Sequence, residues 1–168
     1  MNIKARGEGF FASVKTRHYD PPKSVFGQIH PDSCVAACCR MLLSDEGLQV
    51  GEAFIRAALI SDDQGSLLST APAALLQFSS AGDYIYQANL TVAELQIAVL
   101  NKPTIVFLKM PKMTAGHVVI VDRMVGERVF IRDPWPLASG SAYCVRLADF
   151  ENDWLINDRK TGRAVVGK

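Results

Sequence analysis

Four residues in this sequence carry the types and spacing from which chemistry is built: Cys34, His117, Asp133 and Gln28. A thiol attacks a carbonyl carbon as its thiolate, so a catalytic cysteine needs surroundings that favour the anion. Asp32 and Ser33 are good helix N-caps and Gly47 a good C′ residue, so 34–46 is expected to be helical. Cys34 then occupies the first turn, where unpaired N–H groups and the positive end of the helix dipole stabilise a thiolate. Ala37 and Cys38 follow on the same face, with Met41 a turn below, so the face begins reactive and becomes core.

A thiolate also needs a base. His117 opens an apolar strand behind Ala115-Gly116, a small pair that admits a close neighbour, and Asp133 ends the next strand before Pro134. A carboxylate there is placed to hold the imidazole in one tautomer. A hairpin centred near Val125 sets His117 directly across from Asp133. A tight turn centred between Gly126 and Glu127 offsets the two by three residues and requires a bulge to restore contact. Gln28, six residues before Cys34, offers an amide N–H that, with the Cys34 backbone N–H, can donate to a developing oxyanion. Each residue also has a plainer reading: His117 as a structural histidine, Gln28 as a solvated side chain. From the residues alone, the set is a candidate thiol hydrolase.

The 168 residues suit one domain, and 49% hydrophobic with 21% charged residues is a globular composition. With 18 Lys plus Arg against 17 Asp plus Glu, the net charge of +1 gives no electrostatic reason to expect nucleic acid or membrane as partner. No apolar run approaches a bilayer span, and the first residues make a poor signal peptide. Cys34, Cys38 and Cys39 crowd within six residues, with Cys144 far downstream, so reduced thiols are expected rather than a disulfide framework. Cys38, Cys39 and Cys144 read as small buried hydrophobes. No Cys-x-x-Cys is present and His18, His30 and His117 lack ligand spacing, so neither metal nor other cofactor is expected.

The elements that must position these residues segregate along the chain. Residues 1–27 read as an N-terminal arm on the surface of the domain, which runs over 28–168. Helices are expected at 34–46, 52–60 and 72–80, the last closed by Gly82, and a short strand at 84–88. Thr91 and Glu94 form a capping box for a fourth helix that ends before Pro103. Strands follow at 104–109, 117–124, 128–132 and 141–146, then a short helix through Phe150 and Trp154. Helices first and antiparallel strands last predict an α+β fold.

The run from Gln28 through Cys34-Val-Ala-Ala-Cys-Cys-Arg-Met-Leu-Leu to Gly47 resembles the active-site helix of the bacteriocin-processing double-glycine peptidases, which are papain-like cysteine proteases. Gly116-His117-Val-Val-Ile-Val resembles that family's histidine strand, Asp133-Pro134 its aspartate, and Leu147–Trp154 its closing helix. Two positions depart from the pattern. Ser33 stands where the family usually has an acidic residue, and Val35 where it usually has glycine.

The resemblance implies a papain-like fold, a Cys34–His117–Asp133 centre with Gln28 at the oxyanion, and cleavage after Gly-Gly. Val35, Gly116 and Trp135 are the expected substrate-contacting residues; Trp135 either covers the His117–Asp133 contact or packs over its loop. It also implies a setting: a toxin-like effector domain acting in bacterial cytoplasm, delivered into a neighbouring cell and blocked by an immunity protein. The alternatives are a detached leader-processing peptidase, a glutamine deamidase or transglutaminase-like enzyme, and a binding module with inert cysteines. His18 and His30 are expected on the surface.

Overall fold

The computed structural model describes residues 11, 16–80, 83–109, 116–156 and 160–168. Among them the elements run β1 (Arg17–His18), α1 (Cys34–Asp45), α2 (Glu52–Leu59), a 3-10 turn (Leu68–Thr70) and α3 (Ala71–Leu76). Then come β2 (Tyr84–Leu90), α4 (Val92–Asn101), β3 (Thr104–Leu108), β4 (His117–Val125), β5 (Arg128–Asp133), β6 (Ser141–Arg146), α5 (Leu147–Trp154) and β7 (Gly162–Gly167). Ala115, Gly82 and the first ten residues of the arm lie outside the described residues.

The strands form one sheet in the order β1-β6-β5-β4-β3-β7-β2, antiparallel at every pairing. Side chains alternate between the faces of a strand, and here both faces are covered. Val118 and Ile120 of β4 join Ile105 and Val165 against α1, α2 and α3. Val119 and Val121 join Val106, Ile131 and Val145 against Leu95 and Val99 of α4 and Phe150 and Trp154 of α5. The result is the expected α+β fold, with α1, which begins at Cys34, laid across one face of the antiparallel sheet. The arm adds to it: β1 extends the edge beside β6, and Phe11 and Tyr19 are buried.

The capping box forms as written, with Thr91 Oγ1 accepting from Glu94 N and the Glu94 carboxylate accepting from Thr91 N. Gly47 takes the left-handed conformation at φ +82° just past α1. Two expectations need correction. The third helix ends at Leu76 because Phe78 N and Ser79 N both turn back to Leu75 O, and the Ser79 hydroxyl is drawn to Glu46. A strand was also missed: β7 inserts between β3 and β2 and buries Ala164, Val165 and Val166. Its six residues begin and end in glycine, which reads locally as loop.

Candidate active site

Cys34 is the first residue of α1, partly exposed, while Cys38 and Cys39 behind it are fully buried and Cys144 is buried in β6. All four are free thiols. Burial pushes the Cys38 and Cys39 thiols up, Cys39 to about 12, which keeps them protonated at neutral pH. Ser33 is the N-cap residue, yet its hydroxyl makes no cap bond to the helix. The first-turn N–H groups beside Cys34 therefore have no side-chain cap.

β4 and β5 supply the imidazole and the carboxylate. The hairpin adopts the tight turn, with Val125 paired to Arg128 across Gly126-Glu127. That register alone offsets His117 from Asp133 by three residues, and an odd offset puts the two side chains on opposite faces. Asp122 is a bulge: Val121 pairs with Ile131 and Arg123 with Phe130. One extra residue makes the offset even, so the two side chains share a face. His117 Nε2 and Asp133 Oδ1 lie 2.7 Å apart.

The same imidazole is hydrogen bonded to Cys34. Since Nε2 is engaged by Asp133, Nδ1 is the nitrogen that serves the sulfur. Burial by itself would lower the His117 pKa, but the charge and hydrogen bond of Asp133, with a further contribution from Cys34, hold it up at about 10. A protonated imidazole at neutral pH puts positive charge beside the sulfur and an acid within reach of a leaving amine.

Asp133 is fully buried and well supplied with donors. Its Oδ1 also accepts from Trp135 N at 2.8 Å, and its Oδ2 accepts from the Tyr143 hydroxyl at 2.6 Å. Arg132, next in the strand and also fully buried, ties the layers together. Its guanidinium donates to Asp122 Oδ1 at 2.9 Å, Asp45 Oδ2 at 2.7 Å and Ser24 O at 2.9 Å. Asp45 ends α1 and Asp122 is the bulge, so one side chain fixes the helix that begins at Cys34 against the strands that carry His117 and Asp133.

Gln28 is buried at the base of the same cleft. Its backbone is locked to the loop after β5, with N donating to Pro134 O at 2.9 Å and O accepting from Ala138 N at 3.0 Å. Glycine is required just before it: a Cβ on Gly27 would lie 2.4 Å from backbone atoms of Ala138 and Ser139. The Gln28 Nε2 donates to the carbonyls of His30 and Pro31, both at 2.8 Å, and Oε1 is buried with no partner among the described residues.

The cleft holds about 750 Å³. Val35, Gly116 and Trp135 all line it, joined by Leu68, Tyr86 and Phe107. Gly116 admits the Phe107 ring, which a Cβ would overlap at 2.0 Å. Trp135 touches Asp133 through its backbone, and its ring is partly exposed along the cleft. His18 and His30 are exposed, as expected. Among the described residues, no group of three His, Cys, Asp or Glu is arranged to hold a metal ion.

Sequence reasoning passed over Tyr143, Arg132, Asp45, Asp122 and Glu52. Alternation within 141–146 turns Tyr143 inward, but nothing in the sequence names Asp133 as its partner. An arginine beside two distant aspartates is likewise silent until the sheet and α1 are assembled.

No curated protein sequence matches the chain. Among solved structures, the peptidase domain of Streptococcus ComA, a bifunctional ABC transporter of a quorum-sensing pathway, is similar at 18% identity and TM-score 0.68. That likeness covers 86% of this chain and 97% of the ComA domain. A double glycine motif protease from an AMS/PCAT transporter, solved with its leader peptide, is similar at 16% identity and TM-score 0.66, over 92% and 99% of the two chains. A C39-like peptidase from Bacillus anthracis follows at 14% and 0.60, over 88% and 98%. At these identities the likeness is one of fold. The sequence itself supplies the rest, because the model of the peptidase C39 family matches residues 23–160, from the end of the arm past α5. The chain belongs to the peptidase C39 family and is a cysteine peptidase.

Proposed function

We propose that the enzyme is an endopeptidase that cleaves protein chains after Gly-Gly, with Cys34 as nucleophile, His117 as acid and base, and Asp133 as its orienting partner. The observation that carries this reading is the single imidazole bonded at once to Cys34 and to Asp133. In the first step the sulfur, its proton passed to His117, bonds to the peptide carbonyl carbon while the carbonyl electrons move to oxygen. The oxyanion accepts hydrogen bonds from the Cys34 N–H and from Gln28. Collapse expels the amine, which takes the proton from His117 and leaves a thioester. Water, deprotonated by His117, then attacks the thioester, and the thiol is regenerated with release of the acid.

For Gln28 to donate, one of its N–H groups must exchange a backbone carbonyl for the substrate oxygen. The Gly-Gly preference is supported by the similar fold of the double glycine motif protease and by the narrow wall that Phe107 forms over Gly116. Val35 and Trp135 are the further substrate contacts proposed on that wall and rim.

The test is incubation of the protein and its Cys34→Ala variant with bacterial lysate, followed by mass-spectrometric mapping of new peptide N-termini. Cys34-dependent termini directly after Gly-Gly are expected. Termini in cytosolic proteins support the effector setting with its immunity protein; termini in precursors of exported peptides support leader processing. Deamidated or cross-linked glutamines without new termini would overturn the endopeptidase reading.

A further inference from the structure

Glu52 is a buried carboxyl group that the steps above leave unused. The residue is 2% exposed at the start of α2, and no Lys, Arg or His among the described residues lies within ion-pair distance of it. A buried carboxylate without a cation is costly unless hydrogen-bond donors satisfy it. Its donors all belong to one short turn. The Ser33 hydroxyl donates to Oε1 at 2.5 Å, and Ile29 N donates to the same carboxylate at 3.1 and 3.2 Å. One helical turn on, Arg56 donates to Asp32 Oδ2 at 3.0 Å. The second helix therefore grips residues 29–33 twice from the same face.

That turn joins Gln28 to Cys34. At one end Gln28 is bonded to the loop after β5, and at the other Cys34 is built into α1. The Gln28 amide rests on the turn itself, through the His30 and Pro31 carbonyls. Whatever sets the shape of 29–33 thus sets the distance between the Gln28 amide and the Cys34 N–H. The Ser33 oxygen in turn accepts from His30 N at 3.0 Å within the turn and makes no cap bond to α1.

We propose that Glu52 is a positioning residue for the peptidase reaction: by holding Ile29 N and Ser33 Oγ, it fixes the two oxyanion donors relative to each other. The proposal rests on the catalytic reading above and deepens it. It acts on the step that builds negative charge on oxygen, and not on the sulfur. That distinction can be measured. Alkylation of Cys34 by iodoacetamide forms no oxyanion, whereas release of aminocoumarin from a peptidyl-Gly-Gly-aminocoumarin does.

In the 168-residue protein, Glu52→Ala is expected to lower kcat for coumarin release by about 10- to 100-fold, less than loss of a whole oxyanion donor. KM and the rate of Cys34 alkylation should stay within about threefold of wild type, and Glu52→Gln, which keeps an acceptor oxygen, should regain most of the rate. In a Gln28→Ala background Glu52→Ala should add less than about twofold, because both act on one group. If Glu52→Ala does not fold, Ser33→Ala removes one of the two bonds and should show the same pattern at smaller amplitude. Equal losses in alkylation and turnover, or full additivity with Gln28→Ala, would overturn the proposal in favour of a purely structural role. An unaffected Glu52→Ala with an impaired Gln28→Ala overturns this proposal alone. No Cys34-dependent release by wild type, or an unimpaired Gln28→Ala, overturns the reading beneath it.

Discussion

His117 and Asp133 meet on a diagonal of the β4–β5 hairpin, 2.7 Å apart, because a bulge at Asp122 brings their offset from three residues to two. Diagonal neighbours on one sheet face are within reach of long side chains, and an imidazole spans that gap. The pair is therefore made by strand register, with Tyr143 and the Trp135 backbone holding the carboxylate in place.

Replacing Asp133 with Asn should keep the shape and remove the charge. The amide also presents an N–H where His117 expects an acceptor, so kcat/KM should fall by about 10²- to 10⁴-fold. Asp133 is the principal influence raising the His117 pKa to about 10, so the alkaline limb of the pH–rate profile should lie near pH 10 in the wild type. In the Asn variant that limb should move to lower pH. A full pH profile of both proteins, read with the coumarin peptide, checks both points.

The same shift ties stability to pH. His117 holds its proton in the folded protein up to about 10, whereas an unfolded chain releases it near about 6.5. The resulting stabilisation is complete below the unfolded value and drains away as pH rises from there through the folded value. Urea denaturation at a series of pH values should show wild type losing more stability across that window than His117→Gln.

Arg132→Met is the variant that should harm the fold most. It leaves the Asp45 and Asp122 carboxylates buried with their shared guanidinium gone, a loss of about 3–5 kcal/mol for a broken buried pair. Equilibrium denaturation measures the loss. Since the network spans α1, the bulge and the arm, activity in the folded fraction should fall as well.

Gly27→Ala adds one methyl group against backbone that has nowhere to go, at 2.4 Å from Ala138 and Ser139. Overpacking of this kind costs about 1–3 kcal/mol. The displaced strand of chain carries Gln28, so turnover of the coumarin peptide should drop while iodoacetamide still alkylates Cys34 at close to the wild-type rate.

Much of this architecture was legible locally. Gly47 past α1, the Thr91–Glu94 box and the short apolar runs of β3 and β4 are each written within a few residues, and those elements follow from them. Of the candidate site, the structure brings Cys34, His117 and Gln28 to one cleft and bonds His117 to Asp133. What the sequence could not disclose were partnerships that exist only once the sheet closes. Tyr143 with Asp133, Arg132 with Asp45 and Glu52 with Ser33 join residues 10, 87 and 19 positions apart. β7 was hidden for a related reason. Six residues bounded by glycines look like a loop until β2 and β3 are present to flank them.

The bulge at Asp122 gives the hairpin a sense of odd and even. Between His117 and Asp133, one paired residue gained or lost in either arm while the bulge is kept turns the imidazole and the carboxylate back to back, however well the strands still pair. A gain or loss of two keeps them on one face. Chains built on this hairpin can therefore drift in length by twos and keep the imidazole and carboxylate on one face, whereas single steps among the paired residues part them. Deleting Asp122 itself should leave the pair aligned, because Val121 and Arg123 keep their partners Ile131 and Phe130, whereas deleting Phe130 alone should part the histidine from the aspartate.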